Sequence, residues 1–413
     1  MRHKVPRRDF LKAGALAAAG ALVAPGRAGA GSTGAARPPG LGRTSAPRNV
    51  VVLGAGLAGL SAGYELAKAG HHVTLIEAQE RPGGRVLTLR GFDEGLYADA
   101  GAARIPDGHE WTLGYARSFG LRLVPFYPPG GLYARVRRGR RKEVDWRKFR
   151  DELEDGVGVM LGEAGGWHKI DGGNDLLPRA FAERLAGRTF YGSPALRVEQ
   201  DLGGARVTFG RGGTTRTVAA DYVVCAIPFA VLGRVEFSPK LSERKRKVRD
   251  QLTYEFASRA FLQTRTRFWE GGRVNGFAVT DLPAELWPAS YGQPGRRGLL
   301  QLYVRHFTSL EWEKKDEGGR VAAALATAEQ ALPGTRAAFE RGSVKCWGED
   351  EWAGCAWTHP APRQLVDVIA AEGRIHFAGE HASSYASWMN GALESGNRAA
   401  KAVDDAARAG ASA

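Results

Sequence analysis

One run constrains this chain more than any other: Val50-Val51-Val52-Leu53-Gly54-Ala55-Gly56-Leu57-Ala58-Gly59. An apolar, β-branched stretch without a polar break is the pattern of a parallel strand buried on both faces. It runs directly into G-x-G-x-x-G and a helix-compatible segment. Gly54 permits the tight turn, Gly56 lets backbone N–H groups approach a pyrophosphate, and Gly59 lets the helix close on its strand, which aims the helix N-terminus at the anion. The spacing predicts a helix from Leu57 to Ala69 stopped by Gly70, then a second strand, Val73 to Ile76, delivering Glu77 eighteen residues after Gly59. A carboxylate there accepts both hydroxyls of an adenosine ribose and repels a 2′-phosphate. Strand, helix, strand and acid in register describe a dinucleotide site in a doubly wound α/β domain.

The next segment, Glu80-Arg81-Pro82-Gly83-Gly84-Arg85-Val86, adds a second glycine pair and a guanidinium that can reach the same pyrophosphate, whose charge needs more than one helix end to neutralise. Four further blocks follow: DAGAARIP at Asp99 to Pro106, GGNDLLPRAFAERL at Gly172 to Leu185, DYVVCAIP at Asp221 to Pro228, and HFAGEHASSYASWMNGALESGNRAA at His376 to Ala400. With these, in this order and over nearly the whole mature length, the chain resembles the flavin-containing amine oxidase family, and within it the L-amino-acid oxidase branch. The resemblance implies a Rossmann-like FAD-binding domain of the glutathione-reductase type, assembled from residues 48–105, 172–253 and 340–413. A second, mixed-sheet substrate domain is expected from 106–171 and 254–339. Between Asp145 and Gly172 the chain departs from the family, because only a short stretch stands where amino-acid oxidases insert a helical subdomain. A reduced helical subdomain implies a more open pocket, or one closed by a partner chain in a homodimer.

The resemblance also assigns site residues. Gly54, Gly56, Ala58, Gly59, Glu77, Ala78, Gly84 and Arg85 hold the dinucleotide, and the Val198 backbone holds the adenine. Gly101-Ala102-Ala103 lies flat against the isoalloxazine, and Gly379-Glu380 reaches the pyrophosphate and ribitol. Trp388 faces the substrate over the flavin. Met389 to Ala392 opens a helix whose positive end stabilises the reduced flavin's negative charge. Arg104 grips a substrate carboxylate through the planar match of guanidinium to carboxylate, the alternative being a structural ion pair to Asp99 or Asp107. Arg259, ten residues before Trp269, stands where the family's lysine holds a water against flavin N5. Arginine can donate to that water but cannot be deprotonated near neutral pH. The alternative for Arg259 is a surface strand residue. Cys355 lies where monoamine oxidases attach their flavin, but Ala356 replaces the aromatic that follows, so the FAD is expected to be non-covalent.

The N-terminus reads as an address rather than as part of the fold. Arg7-Arg8-Asp9-Phe10-Leu11-Lys12 is a twin-arginine signature, Ala13 to Ala24 a short apolar region, and Ala28-Gly29-Ala30 a small-residue cleavage site. Twelve apolar residues cannot span a bilayer core of about 30 Å. Residues 1–30 are therefore expected to be a signal peptide and 31–47 a flexible linker, placing the mature protein in the periplasm or outside the cell. The formal net charge is +14, part of it in this signal. The dense basic runs at Arg135 to Arg150 and Glu243 to Asp250 lack the aromatic interleaving of a nucleic-acid binder and read as solvated faces. Cys225, Cys346 and Cys355 have neither metal-ligand spacing nor a disulfide pattern, so no metal is expected.

Together these residues imply an exported, FAD-dependent oxidative deamination of an L-α-amino acid or derivative. A Cα hydride passes to flavin N5, the imine is hydrolysed to a keto acid and ammonia, and dioxygen is reduced to peroxide. A primary-amine or polyamine oxidase, which has no need of Arg104, and a redox-neutral flavoprotein are the alternatives.

Overall fold

The computed structural model describes residues 40–149, 166–282 and 284–410. The expected signal peptide and the first part of the linker lie outside the described residues, as does most of the stretch expected to stand in place of a helical subdomain.

The run that opens the sequence forms the strand Asn49–Leu53 at the centre of a five-stranded parallel sheet. Across the sheet the order is Thr189–Phe190, His72–Ile76, Asn49–Leu53, Tyr222–Cys225 and Ile375–Phe377. Both faces of the central strand are covered: Val50, Val51, Val52 and Leu53 are each at most 1% exposed. Their burial contributes about 1.5–3 kcal/mol per side chain. The helix Leu57–Ala69 follows and ends where Gly70, at φ 109°, donates its N–H to the carbonyls of Leu66 and Ala67. Only glycine adopts that conformation without strain. The long helix Met389–Ala409 lies across it, and a Cβ at Gly396 would come within 2.3 Å of the Ala58 carbonyl.

A four-stranded sheet contains the meander Ala195–Gln200, Ala205–Arg211 and Thr214–Ala220, with Glu236–Ser238 parallel to its first strand. A seven-stranded mixed sheet forms the other half of the molecule. Its order is Phe339–Cys346, Ala257–Thr264, Gly298–Arg305, Ala284–Pro288, Val274–Val279, Leu132–Arg137 and Arg140–Asp145. All eight residues of Ala257–Thr264 are buried, so every side chain on it faces either protein or the cavity between the sheets. Phe339–Cys346 pairs with that strand along its whole length. The seven-stranded sheet thus continues to Cys346, past the boundary expected at 339/340.

Candidate active site

A cavity of about 440 Å³ runs from the glycine loop after Asn49–Leu53 to the seven-stranded sheet. At its first end the contacts are made by backbone. Gly54, at φ 96°, donates its N–H to the Ile76 carbonyl at 2.8 Å, which fixes the turn. A Cβ on Gly56 would meet nothing within 4 Å, so this residue faces open cavity, whereas one on Gly59 would lie 1.9 Å from the Gly54 carbonyl. Gly59 therefore serves the packing of helix on turn and does not line the cavity, while Ala58 does. The buried Glu77 carboxylate accepts the Ala55 N–H at 2.5 Å and the Gln79 N–H at 2.8 Å. Burial pushes its carboxyl above the ordinary glutamate range, with those amides pulling it back. Ala78 and Gly84 line the same stretch.

The charged groups here are already matched. Arg85 Nη1 donates to Glu380 Oε1 at 2.9 Å and to the Ala356 carbonyl at 3.2 Å. Burial alone would lower the Arg85 pKa, but the Glu380 carboxylate outweighs it and raises it. Glu380 also accepts from the Ser387 N–H at 2.8 Å and the Thr358 hydroxyl at 3.1 Å. It follows Gly379, whose φ of 145° favours glycine. The backbone of Gly101-Ala102 stacks against that of Arg85 to Leu87: a Cβ on Gly101 would be 2.0 Å from the Arg85 carbonyl, so the chain can lie flat only with glycine there. Ala102 and Ala103 continue this shelf along the cavity wall. Trp347 Nε1 holds it from behind by donating to the Ala100 carbonyl at 2.8 Å.

Trp388 stands opposite, edge-on to His109 at 4.8 Å and 5.8 Å from Trp167. It is the N-cap of Met389–Ala409 and makes no side-chain capping bond, leaving the helix's first turn, with Met389 and Ala392 on the cavity, as its positive end. Asn390 Oδ1 accepts the Trp111 and Thr112 N–H groups and ties that end to the helix Glu110–Ser118.

Beyond the shelf, side chains take over. Arg104 is 8% exposed and forms an ion pair with the buried Glu285, which Arg305 also approaches at 3.6 Å. Its guanidinium lies over Trp287 at 4.9 Å, Phe126 at 5.3 Å and Tyr127 at 5.7 Å. Neither acid suggested by the sequence is its partner: Asp99 accepts from the Thr88 hydroxyl and the Asn174 N–H, and Asp107 pairs with His168. Arg259 is also buried and lines the cavity, so it is no surface residue. Its Nη1 donates to the Asp99 carbonyl at 3.0 Å, and its plane lies 4.4 Å from the Tyr303 ring and 5.5 Å from Trp287. Burial lowers its pKa to about 10.

One sequence assignment is displaced. Val198 is fully buried, paired with Val207 and Phe237, and does not reach the cavity; Ala195, at the start of the same strand, lines it. The strand meets the cavity at its first residue, and three residues further along it is about 10 Å away.

A profile described as flavin containing amine oxidoreductase matches residues 57–157 and 146–404. The chain belongs to this family. Among its relatives are the L-amino-acid oxidase of Pseudechis australis, 28% identical over 88% of each chain, and that of Naja atra, 28% identical over 89% of this chain and 90% of that one. Solved structures that share the fold include a putrescine oxidase bound to putrescine (19% identity, TM-score 0.75, covering 86% of this chain and 99% of that one). Another is the cyclohexylamine oxidase of Brevibacterium oxydans (18% identity, TM-score 0.76, 87% and 99%). This is an FAD-dependent amine oxidoreductase with the family's mixed α/β architecture.

The cradle fits the family's flavin: Gly56 leaves open space beside a helix N-terminus, Arg85–Glu380 presents a matched cation, and the shelf is flat. Cys355 sits at the cradle's edge, fully buried, its Sγ 3.9 Å from Arg85 Nη1, and burial pushes its thiol up to about 12. Sequence reasoning missed Glu285, Tyr303 and Arg305 at the substrate end, and Trp357 beside Ala356. The only signal was charge inside apolar strands, in Ala284–Pro288 and Gly298–Arg305, where a buried pair and a solvent edge read alike. Among the described residues no group of acidic, histidine or cysteine side chains could hold a metal ion, and no helix is long and apolar enough to cross a membrane.

Proposed function

We propose that the protein oxidises the α-amine of an L-amino acid or a close derivative, using a non-covalently held FAD, after export by the twin-arginine route. The observation that carries this reading is the pair of buried arginines, Arg104 and Arg259, at the end of the cavity where the Gly101–Ala103 shelf and Trp388 converge. A carboxylate-bearing substrate is attracted there, whereas a diamine would bring a second cation into a cationic, desolvated site. The aromatic faces of Tyr303, Trp357 and Trp388 supply apolar walls for a side chain. A bound flavin would supply the hydride acceptor and the route of electrons to dioxygen. The chain's own part is to orient the amine over the shelf, to hold the carboxylate, and to place the N-terminus of Met389–Ala409 where negative charge develops. Water then converts the imine to keto acid and ammonia, with one peroxide released per amine oxidised.

Cys355 supports the non-covalent reading, since a thiol with so high a pKa supplies almost no thiolate. Acid precipitation is expected to release the yellow colour into the supernatant; colour kept in the pellet contradicts it. Export rests on Arg7-Arg8. The double variant Arg7→Lys, Arg8→Lys is expected to stay folded and in the cytoplasm, and unchanged export refutes the route.

One observation favours the second reading, a primary-amine oxidase: Glu285 already neutralises Arg104. Peroxide and ammonia release across L-amino acids and their decarboxylated amines separates the two. Equimolar keto acid, ammonia and peroxide from amino acids alone is the expected outcome, and turnover confined to amines overturns it.

A further inference from the structure

We propose that Arg259, rather than Arg104, receives the substrate's α-carboxylate, and that Arg104 with Glu285 forms a closed, neutral wall behind it. The assignment rests on the amino-acid reading above and says which side chain makes it work.

An incoming carboxylate is favoured by a buried cation whose charge is not already matched by a neighbouring acid. Arg104 is committed in charge: its Nη2 pairs with Glu285 and three aromatic rings lie within 5.7 Å of its guanidinium carbon, although its Nε has no hydrogen-bond partner among the described residues. To bind substrate it would have to exchange one carboxylate for another and leave a buried glutamate without its nearest partner, which is unfavourable. Arg259 also lies against aromatic rings but differs in its charge pairing. Of its five N–H donors, one is spent, on the Asp99 carbonyl, and among the described residues no carboxylate forms an ion pair with it. The Tyr303 and Trp287 rings lie 4.4 and 5.5 Å from its guanidinium carbon, and the side chain lines the cavity. Desolvation depresses its pKa, the Arg104 charge adds to this and the more distant Asp99 and Glu285 only partly offset it, so an arriving anion would favour the charged guanidinium.

Position agrees with charge. The Asp99 carbonyl that holds Arg259 lies two residues before Gly101, so the guanidinium is tethered to the backbone that forms the shelf. An α-carboxylate is bonded directly to the carbon being oxidised, so its cation belongs beside the shelf. Arg104 also adjoins the shelf, directly after Ala103, so it is the charge pairing that separates the two arginines.

The test is calorimetric titration of the flavin-loaded protein with benzoate, a carboxylate without an amine whose ring suits the tryptophan walls. Arg259→Met keeps the reach without the charge, and is expected to weaken benzoate roughly 30-fold or more. Arg259→Lys should recover part of that, because an ammonium attracts the anion without the planar fork. The double variant Arg104→Gln, Glu285→Gln removes the wall's charges together and should lose far less, about threefold at most. Each variant is first shown to retain flavin and a cooperative melt. Binding that survives Arg259→Met but disappears in the double variant overturns the assignment and leaves the amino-acid reading standing. No benzoate binding to the unaltered protein, together with flavin reduction by amines alone, overturns both.

Discussion

The two ends of the cavity are built on different principles. At the nucleotide end the chain presents backbone: glycines at Gly54, Gly56 and Gly101, amides held by Glu77, and a cation, Arg85, matched by an acid two hundred and ninety-five residues away. At the substrate end it presents side chains, Arg104, Arg259 and Glu285, delivered by separate segments and held among aromatic rings. The first end tolerates almost no change in shape but places its charges in a settled pair. The second keeps one cation, Arg259, without a carboxylate ion pair among the described residues. A common cofactor needs a fixed cradle, while a substrate that must enter and leave benefits from a charge that it alone completes.

Breaking the substrate end's internal pair should have the largest effect. Arg104→Ala strips Glu285 of its nearest partner in a buried site, and is expected to cost about 3 to 5 kcal/mol in a denaturant melt. Adding Glu285→Gln in the same background should return most of that loss. A single variant that melts like the parent means the wall is not held by charge.

The nucleotide end should instead fail on shape. Gly101→Ala places a methyl group 2.0 Å from the Arg85 carbonyl, so the shelf must lift. A loss of about 1 to 3 kcal/mol is expected, with flavin released on gel filtration. Full retention of flavin would show that the shelf is not in contact with it.

Asp99 joins the two ends, its side chain under Thr88 and Asn174 and its carbonyl on Arg259. Burial raises its pKa from 3.8 to about 6. The folded state therefore holds this proton more tightly than the unfolded state, so the group favours folding below about pH 4. That contribution is lost as the pH rises toward 6. Asp99→Asn keeps the acceptor for Thr88 and Asn174 and removes the titration. Its stability should vary less between pH 4 and 6, and above pH 6 it should exceed the parent by about 3 kcal/mol. Parallel pH profiles would mean that folding does not shift the Asp99 pKa.

The same contrast explains what the sequence disclosed. Gly54, Gly59 and Gly101 were legible because each stands where a Cβ or a negative φ is forbidden, and such a demand leaves a glycine in the string. Arg104 and Arg259 could be picked out by their place in motifs, but their partners could not. Glu285 sits in Ala-Glu-Leu-Trp-Pro, where an acid between apolar residues suggests an outward-facing strand position; only the fold shows all five buried. Val198 is assigned from the family resemblance, yet the strand lines the cavity at Ala195, because where a strand meets a cleft depends on the neighbouring sheet.

The most direct test of the account is anaerobic mixing of the flavin-loaded protein with L-amino acids and, separately, with the amines left when their carboxylates are removed, following the flavin's visible absorbance. If the substrate completes the charge at Arg259, amino acids should bleach the flavin and the matching amines should do so at least about 30-fold more slowly. Equal bleaching by both, or bleaching by amines alone, would contradict it.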